Sequence, residues 1–176
     1  MIVVVGSPVA KFHGDSFAVD GLAALTAIVV AARGERVELV GRVGSDAAGD
    51  AIVLALGRAG VGHAALLRDA SRPTPIGNAS DGIPLDSGDL QLALRYLTTF
   101  DAAIFVAPVG APEATEALLD LMRDGAAFAG ARLIVVAAEY VEPVAAEAEI
   151  PVTLHIAPGS APTAELAERV ATLAIA

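Results

Sequence analysis

The stretch Ala31-Ala32-Arg33-Gly34-Glu35-Arg36-Val37-Glu38-Leu39-Val40-Gly41-Arg42-Val43-Gly44-Ser45-Asp46-Ala47-Ala48-Gly49-Asp50 decides the fold. It reads as a helix end, a strand, a tight turn and a second helix start. Gly34 ends the first helix as a C-cap. Arg36–Val40 forms the strand, and Gly41 and Gly44 make the turn after it. Ser45 or Asp46 caps the next helix, and Gly49 allows close helix packing. The spacing Gly34-x9-Gly44-x-Asp46-x-x-Gly49 fits any α/β domain. It contains no G-x-G-x-x-G dinucleotide fingerprint, and the chain has no Gly-Lys-Ser/Thr phosphate loop.

The same alternation extends in both directions. Ile2–Val5 is a continuous apolar strand, as expected for one buried on both faces. Gly21–Arg33 is helical, the second helix runs to about Ala59, and His63–Leu67 is a short strand. Residues 70–88 break the rhythm with Pro73, Pro75, Gly77, Asn78, Asp81, Gly82, Pro84 and Gly88. This is a turn-rich surface excursion. Asp89–Thr99 (helix), Ala102–Ala107 (strand), Pro112–Arg123 (helix), Arg132–Ala137 (strand), Pro143–Ala148 (helix), Val152–Ala157 (strand) and Thr163–Ala174 (helix) complete the pattern. Repeated βα units imply a parallel sheet with helices on both faces. Ligands in such sheets bind beyond the carboxyl ends of the strands. That points to the loops Gly6–Asp20, Gly41–Asp46, Pro108–Glu113, Ala138–Pro143 and Pro158–Thr163.

Composition narrows the function classes. The 176 residues carry 11 Lys and Arg against 21 Asp and Glu, a net charge of -10, and Lys11 is the sole lysine. Such a balance argues against nucleic acid or an anionic membrane, whose phosphates need clustered cations. Cysteine is absent, which excludes disulfides, thiolate nucleophiles and Cys-ligated metals. Apolar residues make up 55%, and mean hydropathy is +0.65. Much of this is alanine, so the core closes with small side chains. The longest apolar run, Leu22–Ala32 with Thr26 inside it, is well short of the roughly 18–20 residues of a membrane span. The start, Met1-Ile2-Val3-Val4-Val5-Gly6, has no basic leader and reads as a strand, so the expected location is the cytoplasm.

Residues 2 to about 74 resemble the N-terminal half of the ribokinase-like (PfkB-type) sugar and nucleoside kinases. The stretch quoted above carries the resemblance, with the trailing Leu56-Gly57-Arg58-Ala59-Gly60-Val61. It implies a three-layer α/β/α sandwich with a mainly parallel sheet. The length implies a version lacking the C-terminal nucleotide-binding part and most of the lid, in one domain over residues 1–176.

The departures from the family pattern are specific. Where the resemblance implies a sugar-binding Asp after the first strand, this chain has Lys11. Where it implies a Gly-Gly pair and an Asn, the chain has Asp20, Gly21 and Leu25, and leucine cannot hydrogen-bond a hydroxyl. The lid shrinks to Phe12–Val19. The magnesium-linked Asn-x-x-Glu would fall near Pro158-Gly159-Ser160-Ala161-Pro162, which has neither residue. The Gly-Ala-Gly-Asp anion hole with its catalytic Asp is missing. Phosphoryl transfer needs positioned phosphates, a metal and a base, and no member of that set is recognisable.

Other polar residues have two readings each. Lys11, His13, Asp15 and Asp20 cluster in one loop: Lys11 as an anion contact, His13 as acid, base or ligand, Asp15 as its partner, or all as a solvated loop with a local ion pair. His13, His63 and His155 lack metal-like spacing, and zinc needs three or four convergent ligands. Ser7 sits outside any G-x-S-x-G elbow, and Gly6-Ser7-Pro8 reads as a turn. Ser160 caps a helix or helps bind an anion. Glu139, Tyr140 and Glu142 line the cleft or begin a solvated helix.

The sequence therefore predicts a non-catalytic carbohydrate-kinase-like protein that binds a small molecule or a protein partner. Candidate binding residues are Lys11, His13, Asp15, Asp20, Gly21, Gly44 and Asp46, with no catalytic residue, metal or cofactor. The expected assembly is a homodimer. The alternatives are a minimal sugar or nucleoside kinase completed by oligomerisation or a partner chain, and a structural self-associating protein.

Overall fold

The computed structural model describes residues 1–77, 82–108, 112–137, 153–156 and 163–176. The elements follow the predicted alternation: β1 (Ile2–Val5), β2 (Val9–His13), β3 (Ser16–Asp20), α1 (Leu22–Ala32), β4 (Val37–Gly44), α2 (Ala47–Arg58), β5 (Leu66–Asp69), α3 (Ser87–Tyr96), β6 (Ala102–Val106), α4 (Pro112–Ala129), β7 (Arg132–Val136), β8 (Thr153–Ile156) and α5 (Thr163–Ile175). Six strands form one sheet in the order β5-β4-β1-β6-β7-β8, and every pair is parallel.

Side-chain alternation along β1 divides the core into two layers. Ile2 and Val4 point to one face, where they join Ala23, Ala27 and Val30 of α1, Ile52 and Leu56 of α2, and Val170 of α5. Val3 and Val5 point to the other, against Leu90 of α3 and Leu118, Leu119 and Met122 of α4. A strand covered on both faces needs apolar residues at every position, which is the continuous pattern of Ile2–Val5. Helix α1 has no charged residue and buries Leu22, Ala23, Ala24, Thr26, Ala27 and Val30, because it packs on the sheet and, side by side with it, on α5. Small side chains let these elements approach closely. The architecture is the expected three-layer α/β/α sandwich.

Four details depart from the sequence reading. Gly41 and Gly44 lie within β4 rather than in a turn after it. A Cβ on Gly41 would sit 2.7 Å from the Gly6 carbonyl oxygen, and one on Gly44 would sit 2.5 Å from the Thr74 nitrogen. These glycines admit neighbouring backbone rather than reverse the chain. The strand expected over His63–Leu67 is Leu66–Asp69, while Gly62 makes an isolated bridge to Glu38. Helix α4 continues past Arg123 to Ala129, since Leu118, Leu119, Met122 and Ala126 sustain one buried stripe.

The fourth departure concerns the loop expected between β1 and α1. It is an antiparallel hairpin, β2–β3, in the register Lys11↔Ala18, Phe12↔Phe17 and His13↔Ser16. Gly14 and Asp15 make its turn, and the flanking β-branched and aromatic residues support the strands. The expected features at Pro143–Ala148, Glu139, Tyr140, Glu142 and Ser160 lie outside the described residues.

Candidate functional site

Strand order reverses between β1 and β6, and open parallel sheets bind ligands beyond the carboxyl ends of the strands at such a point, which here is the region beyond Gly6-Ser7-Pro8 and Ala107-Pro108. The hairpin β2–β3 rises from this point, rooted at Pro8 on one side and Gly21 on the other. Its residues alternate between two faces. Lys11, His13, Ser16 and Asp20 share one face by register. Ala10, Phe12, Phe17 and Val19 share the other, and Ala10, Phe17 and Val19 pack on the core layer of α1 and α2.

On the polar face, the Lys11 ammonium and the Asp20 carboxylate form an ion pair of 3.2 Å. The other Asp20 oxygen accepts the Gly21 N–H at 2.8 Å, just before α1 begins. Lys11, Asp20 and Gly21 are thus brought together at the hairpin base. His13 and Asp15 sit exposed at the tip, away from that pair. Leu25 packs against the core layer of α1.

Gly44 and Asp46 belong to a second group at the β4–α2 junction. Asp46 is the N-cap of α2 and accepts the Gly49 N–H at 2.8 Å. Its carboxylate also takes the Thr74 N–H at 2.7 Å and the Thr74 hydroxyl at 2.7 Å. The Gly44 N–H donates to that same hydroxyl at 2.9 Å. Burial pushes the Asp46 carboxyl up, but the Gly49 and Thr74 hydrogen bonds and the nearby Arg68 charge outweigh it and hold it below the usual value. A ligand contact by Asp46 would compete with three internal donors.

A third group was not anticipated. Arg42 projects from β4 on the α3 side of the sheet. It bonds Asp89, and lies 3.6 Å from Asp86 and 3.9 Å from Asp69. Asp86 and Asp89 form the capping box of α3, so Arg42 ties the start of α3 to the ends of β4 and β5. Asp69 accepts from the Ser71 hydroxyl at 2.6 Å, the Ser71 N–H at 2.8 Å and the Arg72 N–H at 3.1 Å, and pairs with the Arg72 guanidinium at 3.0 Å. The Ser71 bonds, with those of Arg72, lower its carboxyl to about 2. The Ser7 hydroxyl donates to the Ile83 carbonyl and accepts the Arg42 N–H at 3.2 Å. With both roles engaged, Ser7 fixes the residue 82–86 segment against the end of β1.

The sequence held one signal for Thr74. It lies between Pro73 and Pro75, so its N–H is the single backbone donor of the triplet. His63 is half-buried, with Nδ1 3.0 Å from the Val61 carbonyl oxygen, a structural contact. His155 lies in β8. Among the described residues, no group of three or more His, Asp or Glu side chains is placed to hold a metal, and no helix is long and apolar enough to cross a membrane.

No protein-family profile matches this chain, and no curated protein does. Solved structures do. An uncharacterized sugar kinase from Pyrococcus horikoshii matches with a TM-score of 0.61 at 15% identity, over 80% of this chain and 56% of that one. Ribokinase from Giardia lamblia matches at 0.62 and 19% identity, over 80% and 56%. Aminoimidazole riboside kinase from Salmonella enterica, solved with aminoimidazole riboside and an ATP analog, matches at 0.59 and 16%, over 79% and 50%. This chain spans about half the length of each of these kinases. With its parallel sheet, two helical layers and small hairpin, the chain has the ribokinase-like α/β fold of the PfkB-type sugar kinases.

Proposed function

We propose that this chain is a non-catalytic protein of sugar-kinase fold that binds a small polar molecule beside the hairpin, at the carboxyl ends of β1 and β6. One observation carries the reading. The resemblance implies a sugar-binding Asp where Lys11 stands and a glycine where Asp20 stands, and these two replacements pair with each other at 3.2 Å. The polarity offered to a sugar hydroxyl is thereby changed from a carboxylate to a paired ammonium. Leu25, at the place implied for an Asn, packs into apolar surroundings instead. Lys11 is still about half exposed (49%), so it can meet an anionic group on a ligand.

The test is a thermal-shift screen with sugars, nucleosides and their phosphates, followed by ATP turnover with magnesium on every hit. The expected result is a saturable shift, lost in Lys11→Ala, with no ADP formed. ADP production dependent on any sugar or nucleoside overturns the non-catalytic reading. A shift that survives Lys11→Ala and His13→Ala removes the hairpin from the site.

A second copy of the chain is the protein partner we propose for the hairpin's aromatic face. Phe12 is 69% exposed, and its ring is 5.4 Å from that of Phe17. Burying such a ring is worth roughly 1.5–3 kcal/mol. Light scattering at micromolar concentration should give a dimer that Phe12→Ser weakens. A monomeric wild-type chain refutes this assembly.

A further inference from the structure

At the end of the sheet opposite Gly6-Ser7-Pro8, the amino ends of the strands hold a cavity of about 310 Å³ lined by Met1, Arg36, Tyr96, Thr98, Thr99 and Asp101. Strand register explains its floor. Ile2 pairs with Val37 on one side and with Ala102 on the other, and all three face the layer of α1 and α5. Side chains alternate along a strand. The residues just before these three, Met1, Arg36 and Asp101, therefore turn to the α3 and α4 side, where Met1 packs on the apolar layer. Backbone bonds continue the row: the Ile2 N–H donates to the Arg36 carbonyl at 2.8 Å, and the Asp101 N–H donates to the Met1 carbonyl at 2.9 Å. The wall is the end of α3, whose last residue is Tyr96, with Thr98 and Thr99 beyond it.

Much of the polar chemistry here is unused. Among the described residues, the Arg36 guanidinium and the Thr98 and Thr99 hydroxyls make no hydrogen bond or ion pair. Tyr96 is 80% exposed. Asp101 takes the Met1 amino group on one carboxylate oxygen, but its side chain is 85% exposed, so the other oxygen is open. Neighbouring strands lie roughly 4.8 Å apart, which sets the Arg36 and Asp101 Cα atoms about 10 Å apart with Met1 between them. The long Arg36 side chain spans much of that distance, so one small molecule reaches both charges.

Each part of the cavity selects a chemical group. The guanidinium is a planar fork that matches a carboxylate. The open Asp101 oxygen and the negative end of the α3 dipole favour a cation. The Tyr96 ring is a flat apolar platform for another ring. A net charge of -10 repels a dianion such as a phosphate monoester, whereas a zwitterion carries no net charge to repel. We propose that this cavity binds a free aromatic amino acid, with its carboxylate on Arg36, its ammonium on Asp101 and its ring against Tyr96. Thr98 and Thr99 offer hydroxyls to the two charged groups. The site shares no residue with the hairpin, so it stands whether or not the hairpin binds a ligand.

Titration of the isotope-labelled chain with phenylalanine, read by amide NMR, tests the proposal. The Arg36, Leu97, Thr98 and Asp101 amides should move saturably. Phenethylamine, which lacks the carboxylate, and 3-phenylpropionate, which lacks the ammonium, should each bind at least about ten-fold more weakly. Arg36→Ala should weaken phenylalanine by a similar factor and leave phenethylamine unchanged. Asp101→Asn should weaken phenylalanine and leave 3-phenylpropionate unchanged. No saturable movement, equal binding of the three compounds, phenylalanine binding unaffected by Arg36→Ala, or tighter binding of AMP than of phenylalanine overturns the proposal. If a variant fails to fold, the comparison of the three compounds on the unaltered chain decides.

Discussion

Lys11 and Asp20 lie on the same face of the hairpin, on opposite strands and one diagonal step apart, and their charges meet at 3.2 Å. Each is unusual by itself: the sole lysine of an acidic chain, and a carboxylate immediately before α1. Together they neutralise each other at the hairpin base.

This pair is partly solvated, so its direct contribution is small. Lys11→Ala should cost ~0.2–1 kcal/mol in urea denaturation. Asp20→Ala should cost more, because Asp20 also accepts the Gly21 N–H. Equal losses would show that the Gly21 bond contributes nothing.

Two glycines of α2 should respond to alanine in opposite ways. A Cβ on Gly49 would sit 2.2 Å from the Gly44 carbonyl oxygen, whereas one on Gly57 would meet His63 Cε1 at 3.6 Å, an ordinary contact. Gly49→Ala should therefore lower stability by ~1–3 kcal/mol through overpacking. Gly57→Ala should raise it by up to about 1 kcal/mol, since alanine loses less entropy in a helix. Melting temperatures read both signs.

Helix α2 also presents a core and a solvent position two residues apart. Ile52 is fully buried and Leu54 is 54% exposed. Ile52→Ala should cost about 2–5 kcal/mol by leaving a cavity. Leu54→Ala should stay within about 0.5 kcal/mol. Similar losses at the two positions would mean that the outer face of α2 is covered in solution.

Acid should expose the Asp69 network. Its folded carboxyl lies at about 2, below the ordinary value of an aspartate. The depressed value means that the charged form is favoured by folding. The contribution is complete above the unfolded pKa and is lost as pH falls from about 4 towards about 2. Asp46 and Asp101 are lowered in the same direction. Denaturation curves at pH 7 and pH 3 should show a smaller acid loss in Asp69→Asn than in the unaltered chain. An identical pH dependence would show that Asp69 is not among the groups responsible.

The order of elements was legible because burial writes itself as periodicity. The α5 run carries a helical period, with Leu166, Ala167, Val170, Ala171 and Ala174 on one face, while Ile2–Val5 and, apart from Thr26, the α1 run are apolar throughout and are told apart as strand and helix by their length. The hairpin was harder to read. Phe12-His13-Gly14-Asp15-Ser16-Phe17 has a turn at its centre, but polar and aromatic residues mix on strands this short, so alternation is weak. Gly41 and Gly44 looked like turn residues because a glycine that reverses the chain and one that admits a neighbour are the same letter.

By itself, the sequence determined the α/β alternation, the apolar layers, the acidic charge and the lack of thiol chemistry. These follow from local pattern and composition, which do not depend on which elements become neighbours. The strand order, the Lys11–Asp20 pair, the Arg42 carboxylate cluster and the Asp46–Thr74 contact were decided by the tertiary structure. Thr74 and Asp46 are separated by 28 positions, and no period of 2 or 3.6 residues relates them. Their meeting depends on how β4, β5 and the loop after it pack, and that packing adds two Thr74 donors to a carboxylate that already caps α2.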